Sequence, residues 1–169
     1  MKRTLYFTAI LGLGSLCFSL QAEEKTAVKT PEQEARDLAA SAAAEHNVDP
    51  GKMGAWIIES SQVAKNYVVG LDNKQYAESW TKGDQLFQHT ITQQEWEKAL
   101  SDNRTKLGKV NSRTLKRQIP AWDPKGLPKG VYMVVEYNTS FENAPNSGEL
   151  LTLRLGTDDK WRVLTYQVN

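Results

Sequence analysis

The sequence predicts an α+β domain, with N-terminal helices packed on an antiparallel sheet of about four strands. Two observations predict it. Up to Leu107, apolar residues recur at the three-four spacing of one helix face. After Gly108 the pattern changes to apolar and polar residues in alternation, broken by short turn-rich connections that favour an antiparallel meander. An amphipathic sheet must cover its apolar face, and the amphipathic helices can supply the cover.

The chain opens MKRTLYFTAILGLGSLCFSLQAEE. Lys2 and Arg3 form a short positive region, Leu5 to Leu20 is mostly apolar and uncharged, and Ala22 is a small residue at a cleavage point followed by Glu23 and Glu24. That layout predicts a Sec-type signal over residues 1–22 and a periplasmic or secreted protein. The apolar run is short for a membrane span, and no second span is present in the sequence. Cys17 has Leu16 directly before it, where lipidation wants a small residue, so a discarded leader residue is expected rather than a lipoprotein. Without the leader the chain has no cysteine, and the domain must hold together by packing. The 20 acidic residues then slightly outnumber the basic ones. Such a balance gives no support for nucleic-acid binding.

Residues 23–49 read as a polar segment with one peripheral helix, and 50–169 as a single domain. Thr30, Pro31 and Gln33 start a helix over 31–45 through a capping box. Leu38 is its only large aliphatic residue, so it has little to bury. Asp49-Pro50 starts a second helix over 50–71, with Met53, Trp56, Ile57, Ser60, Val63, Ala64, Tyr67, Val68 and Leu71 on one face. Asp72 can cap a short helix carrying Tyr76, Ala77 and Trp80, which Gly83 stops. Thr92 and Glu95 form the next capping box, with Ile91 and Trp96 as its hydrophobic staple, and Gly108 ends that helix in a left-handed conformation.

Residues 109–119 are strand-like but polar, as an edge strand is, and 120–129 form a loop with three prolines. Residues 131–141 place Val131, Met133, Val135, Tyr137 and Phe141 on one side of a strand. Leu151, Leu153 and Leu155 alternate along the third strand. In the fourth, alternation sets Trp161 and Val163 on one face and Leu164, Tyr166 and Val168 on the other.

From about Val63 to Val168 the sequence resembles the bacterial exported family catalogued as a domain of unknown function, number 4019. The likeness rests on Gly70-Leu71-Asp72, Tyr76 to Trp80, Glu95-Trp96, Arg104 to Arg113, Pro128 to Tyr132, Tyr137 to Phe141, Glu149, and Lys160 to Val163 with Tyr166. The helix at 31–45 lies outside it. The resemblance implies a cystatin-like cone, the shape of nuclear transport factor 2, in which a curved sheet wraps around helices and often leaves a pocket. It implies no activity, and the fold alone decides none.

His46 and His89 are the only histidines, far apart and without ligand-like spacing, so neither metal nor cofactor is expected. Arg104 and Arg113 are the most distinctive polar signal; they suit either an ion pair with Glu149 or capture of a carboxylate on a ligand. Most aromatic residues read as core. Trp122, in its proline-flanked loop, reads as a lid or a contact residue, and Trp122, Arg104, Arg113 and Tyr132 are the candidate ligand or partner contacts. These readings favour a non-enzymatic domain that binds a small ligand or a protein. The alternative is a small pocket enzyme moving a proton on a hydrophobic substrate, with Glu149, or His89 in a loop between helices, as base. A homodimer through the sheet is a third possibility.

Overall fold

The computed structural model describes residues 29–169, so the leader, Cys17 and the cleavage point lie outside the described residues. The protein is α+β. Among the described residues five helices, α1 (Pro31–Glu45), α2 (Pro50–Asp72), α3 (Tyr76–Thr81), α4 (Gln85–Thr90) and α5 (Gln93–Leu107), precede four strands, β1 (Val110–Trp122), β2 (Val131–Phe141), β3 (Ser147–Leu155) and β4 (Trp161–Val168). The strands form one antiparallel sheet in sequence order, with β1 and β4 at its edges.

The helix starts follow their capping chemistry. Thr30 with Gln33, and Thr92 with Glu95, close reciprocal capping boxes at α1 and α5. Asp49 accepts from Lys52 N–H at the head of α2. Helix α4 was not expected from the sequence. Asp84 caps it by accepting from Leu86 N–H, while Asp84's own N–H donates to the Val163 carbonyl on the β4 edge. His89 is therefore in α4 rather than in a loop, and it is exposed. Gly108 has φ 77° and ψ −158°, an extended backbone with positive φ that only glycine adopts easily, not the left-handed helical turn expected. A Cβ there would also lie 2.9 Å from the Glu142 side chain.

Helix α2 touches all four strands. Its Met53, Trp56, Ala64, Tyr67, Val68 and Leu71 join Met133, Val135, Tyr137, Leu151, Leu153, Trp161 and Val163 in one buried cluster. Helix α1 adds Ala39 and Ala43 to that cluster and leaves Leu38 exposed, so it docks through its small residues and not its one large aliphatic. At its C-cap, His46 stacks on Trp122 with ring centroids 4.0 Å apart. Trp122 is the last residue of β1, paired with Val131, and not part of the following loop. Pro120 also lies within this strand, tolerated because β1 is an edge. A second, smaller cluster joins Phe87 of α4 to Tyr132 and Leu164.

Irregularities in two edge strands decide which side chains face the core. In β4, Leu153 pairs with Val163 but Thr152 pairs with Thr165, so Leu164 is the extra residue of a bulge. The bulge returns Tyr166 to the face of Trp161 and Val163 and sends Leu164 to the other, which corrects the simple alternation expected there. In β1 the register shifts between Leu115 and Arg117. Gln118 thereby faces inward and donates to the Ile57 carbonyl at 2.8 Å and to Ser60 Oγ at 2.9 Å, tying β1 to α2.

Two glycine substitutions test this backbone. Gly108→Ala is expected to cost about 1–3 kcal/mol in urea denaturation, because it combines a glycine-only conformation with a steric clash. Gly54→Ala, within α2 where an added Cβ meets no atom within 4 Å, is expected to stabilise by about 0.5–1 kcal/mol.

Candidate functional site

Among the described residues, a concentration of buried polar side chains is built around Glu149. It lies on β3 beside the inward-facing Leu151, and its side chain is 0% exposed. A carboxylate cannot be left unpaired at such a depth. Its Oε1 accepts from Tyr166 OH at 2.7 Å, Arg113 Nη2 at 3.2 Å and Arg104 Nη1 at 3.4 Å. Its Oε2 accepts from Thr139 Oγ1 at 2.6 Å and from Arg113 Nε.

Asp72, the last residue of α2, completes the arrangement from the other side. Its Oδ2 accepts from Arg113 Nη1 at 2.7 Å, and its Oδ1 accepts from Arg113 Nη2 at 3.0 Å and from Arg104 Nη2. Two guanidinium groups thus face two carboxylates, and the charges balance. The Arg104 side chain is 7% exposed, Arg113 12% and Asp72 27%. Arg104 also sits over the Phe141 ring, 5.3 Å from its centroid. The set links the ends of α2 and α5 to all four strands.

Each position has a local cause. The last turn of α5 places Arg104 inward. Arg113 pairs with Thr139 across β1 and β2, so both share the face of Glu149. The β4 bulge brings Tyr166 onto that face. Burial and the neighbouring Glu149 charge push the Tyr166 phenol above its ordinary range. Burial works against the Arg113 charge, but the hydrogen bonds and charges of Asp72 and Glu149 outweigh it and hold the guanidinium above its ordinary value. Next to Tyr166, with ring centroids 6.1 Å apart, burial also raises the Tyr67 phenol.

Arg104, Arg113 and Glu149 are brought together, as the ion-pair reading of the sequence expected. Asp72 was read there as a cap for α3, but α3 has Gln75 at its N-cap and no side-chain cap, and Asp72 turns to the arginines instead. The only sequence signal for that role was its place in the Gly70-Leu71-Asp72 stretch. Tyr132 is buried in the second cluster, its hydroxyl donating to the Pro128 carbonyl at 2.7 Å. Trp122, Tyr132 and the arginines therefore do not converge on one surface. Among the described residues there is no group of three His, Cys, Asp or Glu side chains fit to hold a metal ion. No described helix is long and apolar enough to cross a membrane.

Three open clefts surround this centre. One of about 560 Å³ runs between the ends of α2 and α5 and reaches Asp72 and Arg104. A second of about 490 Å³ lies between α2, α3 and β4, with Val63, Tyr67, Val69, Trp161 and Val163 among its walls. Trp161 is 5% exposed, and its indole Nε1–H finds no hydrogen-bond partner among the described residues. A third, of about 350 Å³, is walled by polar residues of β1, β2 and the β2–β3 turn.

The fold and its centre define a small α+β domain organised by a charge-balanced ion network. A family model described as a protein of unknown function (DUF4019) matches residues 63–166, a span that holds Asp72, Arg104, Arg113, Thr139, Glu149 and Tyr166. The chain belongs to that family. Comparison with curated proteins and with solved structures gave no match.

Two outcomes follow from the network. Glu149→Gln leaves two arginines facing one carboxylate and is expected to cost about 3–5 kcal/mol, read from urea denaturation. The stability contributed by the raised phenols of Tyr67 and Tyr166 is fully present below the unfolded tyrosine pKa of about 10 and is lost as pH rises beyond it. The denaturation midpoint is therefore expected to fall above about pH 10, with part of the phenolate absorbance appearing only on unfolding. Uniform titration of every tyrosine in the folded protein would contradict this.

Proposed function

We propose that this protein is an exported, non-enzymatic binding domain that holds a small amphipathic ligand in the groove between α2, α3 and β4. One observation carries the reading. The groove has the size and the mainly apolar lining of a small-molecule site, about 300–1,000 Å³, and a wall residue, Trp161, keeps a buried N–H without a partner among the described residues. An unpaired buried donor costs free energy, and a ligand acceptor that reached it would remove the cost. Asn66, Gln75 and the Glu78–Lys82 ion pair give the groove a polar, charge-balanced edge, which suits an uncharged ligand with an apolar body.

The absence of a chemical step from this proposal rests on the ion network. Both Glu149 oxygens are occupied by Tyr166, Thr139 and the two arginines, so a proton acceptor there has no open lone pair facing a cleft. His89 is exposed on α4 and does not line the groove. The cone of cystatin-like domains is the shape we assign to the sheet. Bulges in β1 and β4 support that, because each adds local twist and bends its strand.

The groove is tested with a neutral solvatochromic dye such as 1-N-phenylnaphthylamine. Saturable fluorescence enhancement with quenching of tryptophan is expected. Val69→Asp, at an exposed wall position, is expected to weaken binding at least about tenfold without unfolding the domain. Equal binding by wild type and variant would sink the assignment. Export is tested separately by mass spectrometry of the cell-envelope fraction. A mature N-terminus at Glu23 is expected; an intact Met1, or a diacylglyceryl group on Cys17, would overturn it.

A further inference from the structure

The polar cleft on the sheet is independent of the groove. Ser112 pairs with Ser140, and Thr114 with Asn138, across β1 and β2. Their neighbours Arg113 and Thr139 point to the ion network, so alternation turns these four side chains to the opposite face. Across β3 the partner of Asn138 is Gly148, which has no side chain to cover that face. Asn146 and Ser147, from the β2–β3 turn and the start of β3, close the cleft.

The chemistry of this lining is narrow. Among the described residues no charged side chain lines the cleft, and Pro145 is its one apolar member. Ser112, Thr114, Asn138, Ser140 and Asn146 make no side-chain hydrogen bond to another described residue, although each can both donate and accept. An ionic ligand would find no counter-charge here, and an apolar one would strand these groups. A ligand rich in hydroxyls, each a donor and an acceptor, matches them. The floor is also held in place: Thr139 donates to Glu149 from the other side of β2, so this strand is fixed before any ligand arrives.

We infer that this cleft is a binding site for an uncharged polyhydroxylated ligand, a short stretch of neutral glycan. Its volume of about 350 Å³ is at the small end of ligand sites, as a sugar requires. Among the described residues no aromatic ring lines it, so affinity rests on hydrogen bonds and is expected in the millimolar range.

The test is a titration of the ¹⁵N-labelled protein with maltotriose, cellotriose and tri-N-acetylchitotriose, followed by amide chemical shifts. At least one neutral trisaccharide is expected to give saturable shifts at Ser112, Thr114, Asn138, Ser140 and Asn146. The Asn138→Ala/Asn146→Ala double variant removes two exposed side chains with no structural partner and is expected to weaken binding about tenfold. Ser140→Lys, which adds bulk and charge, is expected to abolish it. Trigalacturonate, of similar size but charged, is expected to bind less well. The inference is overturned if no neutral trisaccharide shifts these amides, if shifts centre on Val63 and Val163 instead, if the double variant binds as wild type does, or if trigalacturonate binds equally well.

Discussion

A carboxylate with no exposed surface is the constraint on which this structure depends. The Glu149 carboxylate is held at that depth by Arg104, Arg113, Tyr166 and Thr139, which supply donors to both of its oxygens. Every one of those partners comes from a different element, so the condition for burying one charge fixes the relative placement of α5 and the four strands. Asp72 extends the same condition to α2 by neutralising the second guanidinium. Such a network adds little to stability compared with a well-packed apolar core, but breaking it is costly, so it favours one register over its competitors.

The irregular features of the sheet serve that condition. Were Leu164 an ordinary rung of the ladder instead of a bulge, Tyr166 would face away from Glu149, and Oε1 would lose its shortest hydrogen bond. The register shift after Leu115 has the same effect on the opposite edge, where it turns Gln118 inward to Ser60 and the Ile57 carbonyl. Gly108 lets the chain leave α5 and enter β1 almost at once after Arg104, which brings Arg104 and Arg113 within reach of the same carboxylates.

Much of this was legible in the sequence, and what was not has identifiable causes. Capping boxes at Thr30 and Thr92, the apolar stripe of α2 and the alternation of β2 and β3 are local signals, and local signals located those elements. Bulges leave no such trace, because a one-residue insertion changes the facing of Tyr166 and Gln118 without changing composition. Helix α4 is six residues long, too short for periodicity to declare itself. Trp122 seemed to lie in a loop because Pro120 and Pro124 flank it, yet an edge strand accommodates the first proline. The meeting of Arg104, Arg113 and Glu149 was readable as charge chemistry. The turn of Asp72 toward them was not, since an aspartate after a helix is equally consistent with a cap. Nothing in residue spacing marked Trp161 as a wall of the groove rather than an ordinary core residue.

The central claim is that the arginines and Glu149 form one coupled structural unit. It is tested most directly by a double-mutant cycle on Arg113 and Glu149, with Arg113→Gln, Glu149→Gln and both together compared by equilibrium unfolding. The account expects a coupling free energy of about 2 kcal/mol or more, with the double variant recovering part of the loss of either single one. Additive effects, with coupling under about 0.5 kcal/mol, would contradict it.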